Sequence, residues 1–197
     1  MRVIIGVTGA SGIQYAMRAA EVLEGLGFEV HSIISDGALA TAAAEGIDGL
    51  RERMGAHSAM VYDEHEMAAA ISSSSFVVQG MAVMPCSIKT LGEIASGITS
   101  NLITRSAINS LRMGRRLALV LRETPLGQIE LENALRAARA GAFIVPASPG
   151  FYTKPRGIDD IIDFVVGKTL DVLGIEHSVY RRWGSDNAHD MAGGAIG

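Results

Sequence analysis

The sequence has very little cysteine, no long apolar run and no excess of positive charge. Its single cysteine, Cys86, has no second thiol with which to form an internal disulfide or a multi-thiolate metal site. No apolar run approaches the roughly 20 residues that span a bilayer, and the N-terminus does not resemble a signal peptide. With 21 acidic and 17 basic side chains, the net charge is -4, which gives no global positive field for nucleic acid. We therefore expect a cytoplasmic protein that binds neither membrane nor nucleic acid.

The composition is otherwise that of an ordinary globular protein, with an excess of glycine. Hydrophobic residues make up 48% of the 197 residues, which is enough to bury one substantial core. We expect one domain over residues 1–184, followed by a small, polar, flexible tail at 185–197. Glycine occupies 23 of 197 positions, roughly 12% against roughly 7% in average proteins, and predicts many tight turns or close backbone approaches.

Buried strands alternate with amphipathic helices along the chain. The strand at Arg2–Val7 is almost continuously apolar, as is typical of a parallel strand buried on both faces. The helix at 13–26 has apolar residues at every third or fourth position. Further strands are predicted at 29–34, 77–84, 117–121 and 142–145, and further helices at 37–45, 49–54, 64–71, 88–94, 101–113, 127–140 and 158–173. This alternation predicts an α/β fold, a single Rossmann-like (flavodoxin-like) domain whose parallel sheet has helices on both faces and binds ligands beyond the carboxyl ends of its strands.

Two turns that join a predicted strand to a predicted helix are suited to phosphate. Residues 8–12 read TGASG and residues 85–90 read PCSIKT. The start of a helix offers unpaired N–H groups and the positive end of the helix dipole, so both turns favour an anion. A tight turn without a ligand is the alternative. Two such turns on one sheet edge suggest a mononucleotide.

Other uses of these turns are less favoured by the sequence. Short-chain dehydrogenases that bind NAD also have a TGASG turn, but they need a tyrosine with a lysine four residues later. The four tyrosines, none of which has that lysine, are Tyr15, Tyr62, Tyr152 and Tyr180. Asp36 follows Ser35 at the end of the second strand, where an acid is able to bind a ribose, so a dinucleotide stays an alternative. Cys86 is either a nucleophile or an inert buried thiol, and we favour the inert thiol because no activating histidine is identifiable.

The segment 101–125 is rich in arginine although the protein is acidic. Its arginines are Arg105, Arg112, Arg115, Arg116 and Arg122, and its one acid is Glu123. Arg122 and Glu123 directly follow a buried strand, so we expect both to point into the crevice. The guanidinium fork matches phosphate oxygens, and a neighbouring carboxylate is able to shuttle a proton. For Arg105 and Arg112, ligand binding and a solvated helix face stay equal alternatives.

A stiff loop at 146–155, which holds three of the five prolines, follows the last strand. Tyr152 in this loop offers a hydroxyl and a ring face to a pocket, or else only packs the loop. Lys168, on the following helix, is placed to add a charge for a second phosphate. The histidines show no metal-ligand spacing: His31 is expected to be structural and the others to face solvent, so no metal is predicted.

Several motifs together resemble those of the UbiX-like flavin prenyltransferases. They are TGASG at 8–12, MPCSIKTL at 84–91, NLITR at 101–105, RETPL at 122–126, and PGFY at 149–152 followed by LDVLG at 170–174. The likeness runs from about residue 2 to 184. It implies a Rossmann-like flavoprotein that assembles into homo-dodecamers and needs no metal. It also implies transfer of a dimethylallyl group from dimethylallyl phosphate to N5 and C6 of reduced FMN, and delivery of the prenylated FMN to a UbiD-type decarboxylase.

The resemblance also implies roles for individual residues. FMN would be held by Gly9, Ala10, Ser11, Ser35, Ser87, Ile88, Lys89, Thr90 and Arg122. Tyr152 and Lys168 match positions that bind the phosphate of the prenyl donor, and the further polar, catalytic positions of that pocket are Arg105, Arg112 and Glu45. Glu123 matches a carboxylate implicated in proton transfer, and Trp183 resembles a C-terminal tryptophan that closes over the site.

The chain departs from the family's pattern at four positions, which are Lys168 for arginine, Arg112 for lysine, Ile108 for aspartate and Ser74 for glycine. Lysine is a point charge that does not grip phosphate as a fork, so donor affinity or the choice between monophosphate and diphosphate is expected to differ. Two other functions stay open. One is a non-catalytic carrier of FMN or prenylated FMN. The other is a flavin-dependent decarboxylase of the cysteine-decarboxylase kind, which ranks lower because that group's catalytic histidine and PASAN-type motif are not found in this sequence.

Overall fold

The computed structural model describes residues 1–184 and contains a six-stranded sheet whose paired strands are all parallel. The strands are β1 (Arg2–Val7), β2 (Glu29–Ile34), β3 (Met60–Asp63), β4 (Gly80–Cys86), β5 (Arg116–Leu121) and β6 (Phe143–Pro146). Their order is β3-β2-β1-β4-β5-β6, which is the order of the Rossmann fold. The predicted fold class is confirmed. The predicted tail at 185–197 lies outside the described residues.

Helices cover both faces of this sheet. They are α1 (Ile13–Gly25), α2 (Asp36–Ala44), α3 (Leu50–Gly55), α4 (Ile88–Ala95), α5 (Leu102–Arg112), α6 (Gln128–Arg139) and α7 (Ile158–Leu173). One apolar core packs α1, α2, α3 and α7 against the sheet, and a second packs α4, α5 and α6 against the opposite face. In the described part of the chain, no helix is both long and apolar enough to cross a membrane.

The central strand β1 shows why its sequence is almost continuously apolar. Val3 and Ile5 belong to the core under α1 and α7, whereas Ile4 belongs to the core on the other face. Successive side chains of a strand point to opposite faces, so a strand covered on both sides has no polar positions to offer. At Gly6 a Cβ would lie 2.9 Å from the side chain of Ile103, so glycine lets α5 approach the sheet closely.

The chain reverses its direction of travel across the sheet between β1 and β4. β1 pairs with β2 on one side and with β4 on the other, so the helices that follow β1 and β4 lie on opposite faces. This topological switch point opens a crevice beyond the carboxyl ends of the two strands. The two turns predicted to bind phosphate, at 8–12 and 85–90, lie at this crevice.

The structure corrects the predictions for residues 46–80. The predicted helix at 64–71 is wrong: the segment forms turns and a short 3-10 turn at Ala70–Ser72. Its polar groups bond to other elements, since the Glu64 carbonyl accepts from the Leu102 N–H at 2.8 Å. The short edge strand β3 was not predicted. The strand predicted at 77–84 instead begins at Gly80 and continues through Pro85, where its pairing with β5 shifts register.

Candidate functional site

A cavity of about 440 Å³ lies at the switch point. All nine residues predicted to hold FMN line it, together with the predicted proton-transfer residue. These are Gly9, Ala10, Ser11, Ser35, Ser87, Ile88, Lys89, Thr90, Arg122 and Glu123. The cavity volume is within the roughly 300–1,000 Å³ typical of small-molecule and cofactor sites.

Thr8 holds the two phosphate-type turns together. Its hydroxyl donates to the Pro85 carbonyl at 2.7 Å and accepts from the Ser87 N–H at 2.8 Å. The residue is buried, so both bonds are shielded from water and fix the β1–α1 turn against the β4–α4 turn. Its place at the end of a buried strand is a signal that sequence reasoning did not use.

Two serines present helix N-termini to the cavity. The Ser35 hydroxyl accepts from the Ala38 N–H at 3.0 Å and caps α2. The Ser87 hydroxyl accepts from the Thr90 N–H at 3.3 Å and caps α4. Each helix therefore begins at the cavity wall, where the positive end of its dipole favours a negatively charged group.

The β1–α1 turn also offers free backbone donors. Within the described part of the chain, the N–H groups of Gly9, Ala10 and Ser11 make no hydrogen bond. A Cβ at Gly9 would lie 3.0 Å from the backbone of Gly37 in the first turn of α2. Glycine thus allows the β1–α1 turn to meet the start of α2 beside the cavity, and the unpaired N–H groups form a cradle for an anion.

Arg122 and Glu123 lie at the end of β5, side by side on the cavity wall. The Arg122 guanidinium makes no hydrogen bond or ion pair to any residue in the described range 1–184, so its donors are available to a ligand. Burial raises the pKa of Tyr15, and the charge of Arg122 opposes that shift, which places this phenol near the guanidinium. Glu123 accepts from the Thr124 N–H at 2.9 Å and lines the same cavity as Arg122.

Glu64 supports the rim of the cavity and was not predicted as a site residue. Its side chain is 8% exposed and accepts from the Asp36 N–H at 2.7 Å and from the Asn101 amide. Asn101 in turn caps α5. Glu64 therefore ties the start of α2 to the start of α5, and nothing in the sequence indicated this because it follows the unpredicted strand β3.

Three of the predicted catalytic residues lie away from this cavity in the single chain. The Glu45 carboxylate accepts from the N–H groups of Gly12 and Ile13, at 2.8 and 3.3 Å, at the N-terminus of α1. Arg105, on α5, donates to the Ser72 carbonyl at 3.2 Å. Arg112, at the end of the same helix, is exposed. Their roles toward a ligand stay predictions.

The other predicted donor-binding residues are brought together beside α7. The Tyr152 ring packs edge-on against Trp183 at 5.1 Å and Phe164 at 5.8 Å between ring centroids. The Lys168 ammonium lies 4.9 Å above the ring of Tyr180 and 5.6 Å above that of Phe164. We call these five residues the aromatic group. It combines apolar ring faces with one cation, which suits a ligand that has both an apolar and an anionic part.

Cys86 and the histidines fit structural roles better than catalytic ones. Cys86 is fully buried, and burial raises the pKa of its thiol to about 12, so a thiolate does not form near neutral pH. His31 is buried against the Tyr62 hydroxyl, as predicted. The prediction that His177 faces solvent is wrong, since its side chain is 1% exposed. His189 lies outside the described residues.

Comparison with known proteins gives consistent matches over most of the chain. The profile of the family described as Flavoprotein matches residues 1–170. The chain is similar to the flavin prenyltransferase UbiX of Saccharolobus solfataricus, with 53% identity over 185 residues that cover 92% of each protein.

Two solved structures share the whole architecture. The crystal structure of AnUbiX (PadA1) in complex with FMN and dimethylallyl pyrophosphate has a TM-score of 0.89 and 41% identity, covering 93% of this chain and 97% of that one. The dodecameric FMN-dependent Ubix-like decarboxylase of Escherichia coli O157:H7 has a TM-score of 0.89 and 39% identity, covering 94% and 100%.

Proposed function

Since this chain belongs to the UbiX family of flavin prenyltransferases, within the flavoprotein family, we propose that it transfers a dimethylallyl group from dimethylallyl phosphate to reduced FMN. One observation carries the proposal. A single cavity brings together two helix N-termini, an unpaired guanidinium and a neighbouring carboxylate. An FMN phosphate and ribityl chain need donors and hydroxyls of this kind, so the residues present fit the nucleotide.

The chain's residues divide the work of binding and orientation. The N–H cradle of the β1–α1 turn, the hydroxyls of Ser35 and Ser87 and the Arg122 guanidinium hold the phosphate and ribityl chain. Reduced FMN would supply the electron-rich N5 and C6 positions, each of which bonds to a different carbon of the dimethylallyl group as the donor phosphate leaves. Glu123 lies within the same cavity, where its carboxylate takes or returns a proton as the new bonds form.

The aromatic group serves the prenyl donor. Departure of the donor phosphate needs compensating charge, which Lys168 supplies, and the Tyr152 hydroxyl offers a hydrogen bond to the same phosphate. Ring faces such as those of Tyr152 and Trp183 stabilise the positive charge that develops on the allylic carbon. None of the proposed steps requires a metal ion.

The protein is further proposed to assemble into a homo-dodecamer. Exposed apolar side chains lie on α6, on the edge strand β6, in the loop after it and at the start of α7, where a second copy would cover them. They are Ile129, Leu131, Leu135, Phe143, Phe151 and Ile158. A homo-dodecamer would also give Arg105 and Arg112 a route to the site of another copy. Light scattering of the purified protein is expected to give about twelve times the chain mass.

The product and its setting follow from the same chemistry. Prenylated FMN made here would pass to a UbiD-type decarboxylase. A cytoplasmic location suits a chain whose one thiol is buried and makes no disulfide.

The direct test is anaerobic incubation of the protein with reduced FMN and dimethylallyl phosphate, with the diphosphate as a parallel arm. We expect a flavin whose mass has increased by one five-carbon prenyl group. Binding of both ligands with an unchanged flavin mass would favour the carrier function instead. The cysteine-decarboxylase function is disfavoured, because no histidine of the described residues lines the cavity.

Tyr152→Phe is expected to weaken donor binding about tenfold and to leave FMN binding within about twofold of wild type. The change removes one hydroxyl, whose hydrogen bond to a charged phosphate is worth about 1.5 kcal/mol or more, and it keeps the ring. Donor KM and the FMN Kd from flavin fluorescence measure the two effects. Tyr62→Phe, which removes a hydroxyl that contacts His31 in the core, is the control. Equal losses for both ligands would contradict the assignment of Tyr152 to the donor.

A further inference from the structure

The residues after α7 turn back along that helix. Gly174 ends α7 in the left-handed conformation, with φ 70°, and the Ile175 N–H donates to the Leu170 carbonyl at 3.0 Å. The rings that follow then reach back over the helix, since Tyr180 packs against Phe164 at 5.2 Å. We call residues 177–183 the C-terminal strap.

Asp171 on α7 binds the strap at three points. Its Oδ1 accepts from His177 Nε2 at 3.2 Å and from Arg182 Nη2 at 2.8 Å. Its Oδ2 accepts from the Tyr180 hydroxyl at 2.6 Å. Burial favours the neutral acid, but the hydrogen bonds from Tyr180 and Arg182 outweigh it and hold the pKa of Asp171 below its usual value. The anchor is therefore a carboxylate at neutral pH.

His177 is fixed in one tautomer by its two neighbours. Its Nδ1 accepts from the Val179 N–H at 3.1 Å, so that nitrogen carries no proton. The proton of the neutral ring is therefore on Nε2, from which it is donated to Asp171. The ring is almost completely buried, and this arrangement sets the path of the strap as well as its point of attachment.

Gly167 provides the space in which the strap lies. A Cβ at this position would be 2.2 Å from the Tyr180 ring and 2.9 Å from the His177 ring. Glycine in the middle of a helix is destabilising relative to alanine. The close approach of two strap rings is a physical reason for a glycine here.

The strap connects Asp171 to the aromatic group. It supplies Tyr180, above which the Lys168 ammonium lies, and Trp183, which packs against Tyr152. We propose that Asp171 is a positioning residue, which sets the affinity for the prenyl donor by holding the strap, and with it Tyr152 and Trp183, and by its own ion pair with Lys168 at 3.9 Å. The inference rests on the proposed function, because it takes the aromatic group to be the donor site.

Asp171→Asn in the full-length protein is expected to weaken binding of dimethylallyl phosphate to the FMN-loaded enzyme about tenfold, without changing the FMN Kd. Loss of one charge-assisted hydrogen bond is worth about this factor. Asp163→Asn is the matched control. Asp163 is on the same helix and its ion pair, with Arg18 at 2.6 Å, does not involve the strap. The control is expected to bind the donor as wild type does.

Gly167→Ala is a second variant that leaves the carboxylate in place. The methyl group would meet the rings of Tyr180 and His177, so a merely structural role for the strap predicts lower stability with unchanged donor binding. The proposal predicts weaker donor binding, because the methyl group displaces Tyr180 and His177. Trp183 is the one tryptophan of the chain, so its fluorescence anisotropy reports the strap directly and should fall in both variants but not in Asp163→Asn.

The donor titration uses Trp183 emission and needs no turnover, which separates the two proposals. An inactive wild type whose donor binding still depends on Asp171 would overturn the proposed function and support the positioning role. Unchanged donor binding in Asp171→Asn and Gly167→Ala would overturn the positioning role, as would an equal loss in Asp163→Asn. An anisotropy of Trp183 unaffected by both strap variants would overturn it as well.

Discussion

Glu123→Gln is expected to bind FMN as wild type does and to form the prenylated product well over tenfold more slowly, because general acid or base catalysis contributes about 10² to 10⁴ to a rate. The amide keeps the size and hydrogen-bonding oxygen of the side chain, including an acceptor for the Thr124 N–H. It cannot take up or return a proton. Single-turnover conversion of bound, reduced FMN, followed by mass, isolates this step from product release.

A matched glutamate gives the control for that experiment. Glu132 is exposed on α6, where it accepts from Gln128 at 2.8 Å, so Glu132→Gln makes the same chemical change away from the cavity. Its rate and FMN affinity should equal those of wild type. If single-turnover rates of Glu123→Gln match those of this control, Glu123 has no part in proton transfer. A loss of FMN binding in Glu123→Gln would instead assign the carboxylate to ligand binding.

The cavity was predictable because its parts follow directly on strands. Parallel strands bring their carboxyl ends to one edge, so the turns at 8–12 and 85–90 and the pair Arg122–Glu123 are brought together by the alternation of strands and helices alone. The small side chains of those turns also indicated what they would bind. For these residues, the position directly after a parallel strand is enough to predict their location at the sheet edge.

The parts that sequence reasoning missed depend on contacts between distant segments. Glu64 binds the first N–H of α2 and supports α5 from a loop after a four-residue strand, and a strand so short has no distinctive pattern. His177 is buried only because the strap returns to Asp171. Arg105 is of a residue type that often binds anionic ligands, yet its position on α5 lets it donate to the Ser72 carbonyl instead. Residue type did not reveal which partner each side chain meets.

Arg122→Ala is expected to weaken FMN binding about 10- to 100-fold, the largest effect on an equilibrium that we expect from any single side chain here. A charge-assisted hydrogen bond to phosphate is worth about 1.5–3 kcal/mol, and each 1.4 kcal/mol is a factor of ten in Kd. Because the guanidinium bonds to no other residue within 1–184, its removal should leave the free energy of unfolding almost unchanged. Flavin fluorescence titration and thermal unfolding of the flavin-free protein measure the two quantities.

Two further variants separate the geometry of Arg122 from its charge. Arg122→Lys keeps the charge but loses the planar fork, so its FMN affinity should lie between those of alanine and wild type. Arg156→Ala removes a side chain that is 91% exposed and should leave FMN binding unchanged. Equal affinities for the lysine and alanine variants would show that the fork, and not the charge, carries the interaction. An alanine variant with wild-type affinity would remove Arg122 from the FMN site and leave the backbone cradle as the phosphate-binding element.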